Sequence, residues 1–340
     1  MEIIKVGIYH DDAAFARALA VGLARESRTI LFVLMDKQDA AEELDLVLSS
    51  ESSEKAGCVQ LVHCQDMEHS DSPPYRLYQY KESRSLIDDL LFIYFKMTDR
   101  VLEYKGTCRC RLMTLVSDAG GSGTTMTGIA MAKTLYRVYG MQVLYLNLCP
   151  IDDSKKYLRS DRNANMLKLL YYLDTGKKFP FESFISRGQE MDYINTDIIN
   201  AYFNDIKPAL MTQFLKKVDE LGRYDYLMID MGSHFSRENR RILENCDLAV
   251  FVHRWHNREP NTYYEVVSQE MREKAGGARF LTIINFAGDD WPVETCEAMW
   301  ISEDREALRL DKKEGILEID LSKNYGIEIA AIAKRIMEDI

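Results

Sequence analysis

Short runs of β-branched and aromatic residues alternate with amphipathic stretches along residues 1–97. Ile3–Tyr9, Ile30–Met35, Asp45–Leu48, Cys58–Cys64 and Tyr75–Tyr80 read as strands, and Ala13–Arg25 and Leu86–Phe95 place apolar residues at helical spacing. Strands alternating with helices predict a parallel sheet. The polar stretch Ser49–Gly57 predicts a loop. From Arg111 the alternation resumes on a larger scale. Leu112–Val116, Gln142–Leu148, Tyr226–Ile229, Leu248–Val252, Phe280–Ile284 and Ile316–Ile319 are strand-like, while Ile129–Tyr139, Asn165–Leu173 and Ala209–Leu221 are helical. The mixed, charged stretch Met97–Cys110 contains Asp99, Arg100, Glu103, Lys105 and Gly106. The pattern therefore predicts a smaller α/β domain over 1–97, a linker over 98–110 and a larger α/β domain over 111–340.

Composition narrows the function classes. The chain has 340 residues and a formal net charge of −11, a length that suits two domains. The acidic balance argues against broad electrostatic binding to nucleic acid, which draws on a Lys/Arg excess. No run approaches the ~18 apolar residues of a membrane span. The start MEIIKVGIYH reads as a strand and lacks the basic-then-apolar layout of a signal peptide, so a cytoplasmic location is expected. Cys58, Cys64, Cys149 and Cys246 lie in or beside apolar runs, where reduced cysteine behaves as a small hydrophobe. Cys108 and Cys110 form a close pair, but on a strand they would face opposite sides, and no second Cys/His pair has zinc spacing.

The candidate chemistry centres on SDAGGSGTTMTG, residues 117–128, between the strand ending at Val116 and the following helix. In a phosphate loop, successive backbone N–H groups converge on phosphate oxygens at a helix N-terminus. Glycine permits the close approach and the positive φ this needs. The candidate nucleotide-binding residues are Gly120, Gly121, Ser122, Gly123, Thr124, Thr125 and Met126. Thr125 falls where the motif's hydroxyl holds Mg²⁺. The strict pattern G-x-x-x-x-G-K-[ST] is broken twice, by Asp118 at the first glycine and Thr124 at the lysine. A glycine-rich strand-to-helix turn is also ordinary packing geometry, so the loop alone leaves a nucleotide site and a plain turn both open.

The longer run AGGSGTTMTGIAMAKTLYRVYGMQVLYLNLCPIDD resembles the deviant-Walker ATPases of the ParA/MinD superfamily. Their segment reads KGGxGKTT, then a helix, then a strand closing in D-x-D-P, whose proline is kept as Pro150. YDYLMIDMGS (224–233) is similar to the family's Walker B strand and puts Asp230 at the Mg²⁺-side aspartate. ENCDLAVFV (244–252) and FLTIINFAG (280–288) are similar to the next two strands, the second closing in an asparagine near the adenine, Asn285. The resemblance implies a mostly parallel P-loop NTPase-type sheet flanked by helices over 111–340. It implies ATP and Mg²⁺ as cofactors, with Thr125 and Asp230 at the metal and Asn285 at the nucleotide.

The departures fall on catalytic parts. The family's signature lysine, which reaches across a dimer to the partner's nucleotide, falls on Ala119, and the loop lysine on Thr124. The acids of D-x-D-P fall on Asn147 and Cys149. One charge-assisted contact contributes ~1.5–3 kcal/mol, so the missing loop lysine weakens binding about ten- to a hundredfold. Hydrolysis suffers more, because a single cationic finger supplies ~10³–10⁵ in rate. The expectation is retained ATP·Mg²⁺ binding, with hydrolysis absent or very weak.

The first domain resembles the flavodoxin-like receiver domains of two-component signalling, without their phosphorylation site. Receivers end the first strand with an acidic pair; here it ends His10-Asp11-Asp12. The phosphorylated aspartate's place is taken by Ser49 or Ser50, while Lys81 fits the lysine after the fifth strand. Another five-stranded α/β domain is the alternative. The two-domain layout resembles TadZ/CpaE proteins, which implies a localisation or assembly scaffold for a Tad (type IVb) pilus. The partners so implied are a second copy in a homodimer, the pilus secretion motor and the inner-membrane platform. The same resemblance implies a polar or inner-membrane-face position and membrane association only through partners, with no direct nucleic acid. Two other functions stay open. An active ParA/MinD-type ATPase switch for DNA or division-site positioning is opposed by the missing lysines and the acidic charge. An atypical response regulator is opposed by Ser49 and Ser50.

Three further features carry bland expectations. In IEIAAIAKRIMEDI, Ile327, Ala330, Ile332, Ala333 and Ile336 recur at near-helical spacing, and Lys334 and Arg335 are the basic residues. Membrane-surface helices carry a cationic polar face, so a closing helix packed on the sheet is expected instead. His253-Arg254-Trp255-His256-Asn257 follows a strand at the edge where such sheets bind ligands. It reads as a polar loop or as a contact to nucleotide or partner. His234 follows Asp230 closely, with no nucleophile beside it in the sequence.

Overall fold

The β-branched run Ile4–Tyr9 (β1) lies inside a five-stranded sheet. The computed structural model describes residues 3–27, 30–36, 44–53, 55, 57–70, 72–101, 109–159, 166–196, 206–234, 236–255, 261–287, 298–313 and 315–338. The chain forms two units, Met1–Tyr104 with Thr175–Ser183, and Lys105–Asp174 with Phe184–Ile340. Part of the expected linker, residues 102–108 with Cys108, lies outside the described residues, as do Asn165, His256, Asn257 and Gly288.

In the first unit β1 is followed by α1 (Ala13–Glu26), β2 (Ile30–Leu34), β3 (Leu46–Ser49), β4 (Cys58–Val62), β5 (Tyr75–Tyr78) and α2 (Ser83–Thr98). The strand order is β2-β1-β3-β4-β5, all parallel, which is the flavodoxin-like order. Asp12 caps α1 by accepting from the N–H groups of Ala14 and Phe15. Val6, Ile8, Leu46, Leu48, Leu77, Leu86 and Leu90 bury their side chains between sheet and helices. At the carboxyl edge, His10 Nε2 lies 3.3 Å from Gln79 Oε1 and Gln79 Nε2 lies 2.9 Å from His63 Nδ1. Ser49 closes β3 fully buried. Lys81 binds Glu68 and Asp89, each at 2.7 Å.

The second unit runs β6 (Arg111–Val116), α3 (Thr124–Tyr139), β7 (Val143–Asn147), α4 (Met166–Thr175), β8 (Ile185–Ser186), β9 (Asp192–Ile194), α5 (Pro208–Leu221) and β10 (Tyr226–Gly232). It continues with α6 (Arg237–Glu244), β11 (Leu248–Arg254), α7 (Asn261–Lys274), β12 (Arg279–Ala287), β13 (Met299–Ser302), β14 (Leu308–Asp311), β15 (Ile316–Ile319) and α8 (Asn324–Glu338). The sheet order is β13-β12-β11-β6-β10-β7-β9-β8, parallel except for the β8–β9 pair. β6, β7, β10 and β11 are buried on both faces, which is why they read as unbroken apolar runs.

Two sequence expectations change here. Ile316–Ile319 is strand, but it pairs antiparallel with β14 in a separate hairpin. Its half-exposed residues never needed the sheet's apolar flanks. β8, β9 and β13 are strands too short to give a periodic signal. The closing helix α8 buries Ile329, Ile332, Ala333 and Ile336 completely, and leaves Ile327 62 % exposed. Its apolar stripe is therefore core. Among the described residues, no helix is long and apolar enough to cross a membrane.

Candidate functional site

The central strand β6 has β10 on one side and β11 on the other, so chain order reverses around it. Open α/β sheets bind ligands in the crevice at such a point, outside the strands' carboxyl ends. The parallel register brings Leu115 level with Asp230 and Val250, Asp230 level with Asn147, and Arg254 level with Asn285. Residues scattered over more than half of the chain thus end at one edge.

The loop between β6 and α3 is built by its glycines. Gly121 and Gly123 have φ of +81° and +82°, and Gly123 is the N-cap of α3. A Cβ on Gly123 would stand 2.3 Å from Asn285 Nδ2. That amide donates to the Ser122 carbonyl at 2.8 Å and pins the loop to the end of β12. The hydroxyls of Ser122 and Ser117 both donate to the Ala119 carbonyl, at 2.8 and 3.2 Å. The first N–H groups of a helix have no partner within it, and the helix dipole favours an anion there. Gly120 leaves open space, with nothing within 4 Å of an added Cβ. Thr124, standing at the lysine position, is buried. Met126, partly buried, packs its side chain against the core.

Below the loop, Asp230 is fully buried at the end of β10. Thr125 Oγ1 donates to its Oδ2 at 2.6 Å, Tyr145 Oη at 3.0 Å and Asn147 Nδ2 at 3.3 Å. The Gly232 N–H binds Oδ1 at 3.0 Å. Burial raises the Asp230 pKa, while the Thr125 and Tyr145 hydrogen bonds pull against that rise. Burial and then the Asp230 charge push the Tyr145 hydroxyl and the Cys149 thiol upward, so both stay protonated. Asn147 also accepts from the Cys149 N–H at 2.8 Å. Where the family pattern has two more acids, this chain has a neutral amide, Asn147, and a neutral thiol, Cys149, beside Asp230.

These oxygens fit Mg²⁺. The Thr125 hydroxyl spends its proton on Asp230 and keeps its lone pairs, and hydroxyl plus carboxylate is a hard donor set. Sequence reasoning missed Tyr145 and Asp152. Asp152 is buried, accepts from Ser154 and Thr196, and lies near enough to Asp230 to oppose its ionisation. The first acid of CPIDD was the available signal for it. His234 sits in the turn after β10, its carbonyl accepting from Asn239 Nδ2.

The first two residues of the segment read as a polar loop, His253 and Arg254, belong to the sheet. β11 continues through Arg254, and His253 is buried with Nδ1 2.9 Å from Asp118 Oδ2. The strand runs on because β12 pairs with it through Arg254–Asn285. Arg254 Nη1 donates to the Gly121 carbonyl at 3.3 Å, and its guanidinium lies 4.8 Å from the centre of the Phe286 ring.

No protein-family model matches the chain, and no curated protein sequence does. Solved structures do match. A plasmid partition protein from Borrelia burgdorferi bound to AMPPNP is 16% identical with a TM-score of 0.54, over 68% of this chain and 100% of that one. The septum site-determining protein MinD from Pyrococcus horikoshii, complexed with Mg-ADP, is 20% identical with a TM-score of 0.53, over 67% and 96%. A ParA family ATPase from Chlorobium tepidum is 17% identical with a TM-score of 0.51, over 66% and 98%. About two thirds of this chain has the fold of the ParA/MinD-family ATPases.

Proposed function

We propose that this chain binds ATP with Mg²⁺, hydrolyses it weakly or not at all, and serves as a localisation or assembly scaffold. The observation that carries this reading is the Thr125–Asp230 pair at 2.6 Å beneath a glycine loop without a lysine. The metal side of the site persists while both lysines of the family pattern, which would supply transition-state charge, are replaced by Ala119 and Thr124. Neighbours of the same fold bound to AMPPNP and to Mg-ADP support a nucleotide at this edge. Gly120, Gly121, Ser122, Gly123, Thr124, Thr125 and Met126 would hold the phosphates, Thr125 and Asp230 the Mg²⁺, and Asn285 the loop beside the base. The bound nucleotide acts as a structural ligand that stabilises a homodimer.

The finer reading follows the TadZ/CpaE resemblance. The chain acts in the cytoplasm, at a cell pole or at the inner face of the membrane, with the pilus secretion motor and inner-membrane platform as partners. The flavodoxin-like strand order of the first unit supports a receiver-like module. Its β3 closes in Ser49, and its Lys81 is held by Glu68 and Asp89. Serine forms no acyl phosphate, so this module serves as a docking or dimerisation surface.

The test is calorimetric titration with ATP and ADP, with and without Mg²⁺, beside a phosphate-release assay. The reading expects Mg²⁺-dependent ATP binding without release. Steady release would favour an ATPase switch, and no binding at millimolar nucleotide would make the loop a plain turn.

A further inference from the structure

We infer that Arg254 supplies, from the end of β11, the phosphate-binding positive charge that the loop itself lacks. The inference rests on the nucleotide-binding reading above and adds its charge-bearing residue.

Residues 117–128 contain no lysine or arginine and one carboxylate, Asp118. A carboxylate on the loop repels a polyphosphate. His253 answers that carboxylate directly, with Nδ1 2.9 Å from Asp118 Oδ2 in a pair that is largely buried. Facing a carboxylate, which only accepts, Nδ1 carries the proton. The next residue along β11, Arg254, is exposed and turned onto the loop. Its Nη1 touches the Gly121 carbonyl, and a Cβ on Gly121 would lie 3.7 Å from that nitrogen. No carboxylate among the described residues pairs with it. Among the described residues, one of its five N–H donors is engaged, on Gly121, which leaves the rest of the fork to meet a ligand.

Its pose is prepared rather than loose. The guanidinium lies over the Phe286 ring. Phe286 has a φ of +58°, a conformation that bulky L residues rarely adopt. It is kept there by its N–H bond to Asn285 Oδ1 at 3.0 Å and by the bulge between Asn285 and Ala287. The ring also lies beside the loop: its Cε2 would stand 3.5 Å from a Cβ placed on Gly123. Stacking uses the flat face of a guanidinium and leaves its in-plane N–H groups to meet oxygen. A planar fork over a phosphate loop suits bidentate contact with phosphate oxygens. The ligand class is therefore a nucleoside di- or triphosphate, bound through its charge.

The experiment uses the full chain and its Arg254→Gln and Arg254→Lys variants. Gln keeps an amide donor for the Gly121 carbonyl and removes the charge. ATP·Mg²⁺ affinity is measured by calorimetry at low and high salt, with melting temperature as a control. Arg254→Gln is expected to weaken ATP binding about ten- to a hundredfold. It should also flatten the salt dependence relative to wild type and leave the melting temperature unchanged, while Arg254→Lys recovers part of the affinity. Equal ATP affinity in wild type and Arg254→Gln overturns the inference alone. A loss with unchanged salt dependence assigns Arg254 to loop shape and overturns it too. A wild-type chain that binds no nucleotide overturns the reading beneath it as well.

Discussion

The Thr125 hydroxyl lies 2.6 Å from Asp230 Oδ2, tying the first turn of α3 to the end of β10 across 105 positions of sequence. The bond leaves the hydroxyl oxygen able to accept a cation while its proton is held below. Thr125→Val removes that oxygen with little change in volume. ATP affinity should fall about tenfold with Mg²⁺ present and stay the same in EDTA. Calorimetry with and without the metal reads this directly. A variant that still responds to Mg²⁺ as wild type does would refute Thr125 as a ligand.

Asp230 also makes stability depend on pH. Burial raises its folded pKa above the ordinary 3.8. As pH climbs past 3.8, the unfolded chain loses this proton first, so the folded state is progressively disfavoured until its own raised pKa is passed. Asp230→Asn has no such proton to lose. Melting curves of the two proteins, compared from pH 3.5 upward, should show wild type losing ground to the variant across that window. A constant difference would mean that Asp230 is no harder to ionise folded than unfolded.

Gly123 faces two separate penalties if it gains a side chain. Its φ of +82° costs an L residue about 1–2 kcal/mol. The new Cβ would also stand 2.3 Å from Asn285 Nδ2. Gly123→Ala should destabilise the second unit by about 3 kcal/mol. Adding Asn285→Ala removes the collision and should restore only the part beyond the backbone strain. Urea unfolding of the single and double variants separates the two; a double variant no better than the single would discount the contact.

The stripe of α8 decides whether this helix packs or touches lipid. Ile332 is fully buried, so Ile332→Ala should cost about 2–5 kcal/mol. The wild-type chain should stay in the supernatant when anionic vesicles are pelleted. A variant of unchanged stability, or a chain that pellets with vesicles, would reverse the assignment of this face.

The α/β class and the strand-to-helix context of the glycine loop were legible in the sequence, as was the placing of Thr125 at the start of α3 and of Asp230 and Asn285 toward the ends of their strands. Each depends on local periodicity or on the spacing of a motif within one segment. The pairing of β15 with β14, the short strands β8, β9 and β13, and the burial of His253 were not. A four-residue run has too little periodicity to declare its partner, and His253-Arg254 is polar enough to read as a loop. Tyr145 and Asp152 were missed for a related reason: the carboxylate they bear on, Asp230, through a hydrogen bond and through charge respectively, lies more than seventy residues downstream. Parallel pairing places the ends of β6, β7, β10, β11 and β12 side by side. Each strand by itself specified an apolar run and a polar end. Only their order in the sheet decided that Asp230 would lie under Thr125, that His253 would answer Asp118, and that Arg254 would rest on Gly121. Those pairings are set by register across hydrogen-bonded neighbours, which no single stretch of sequence contains.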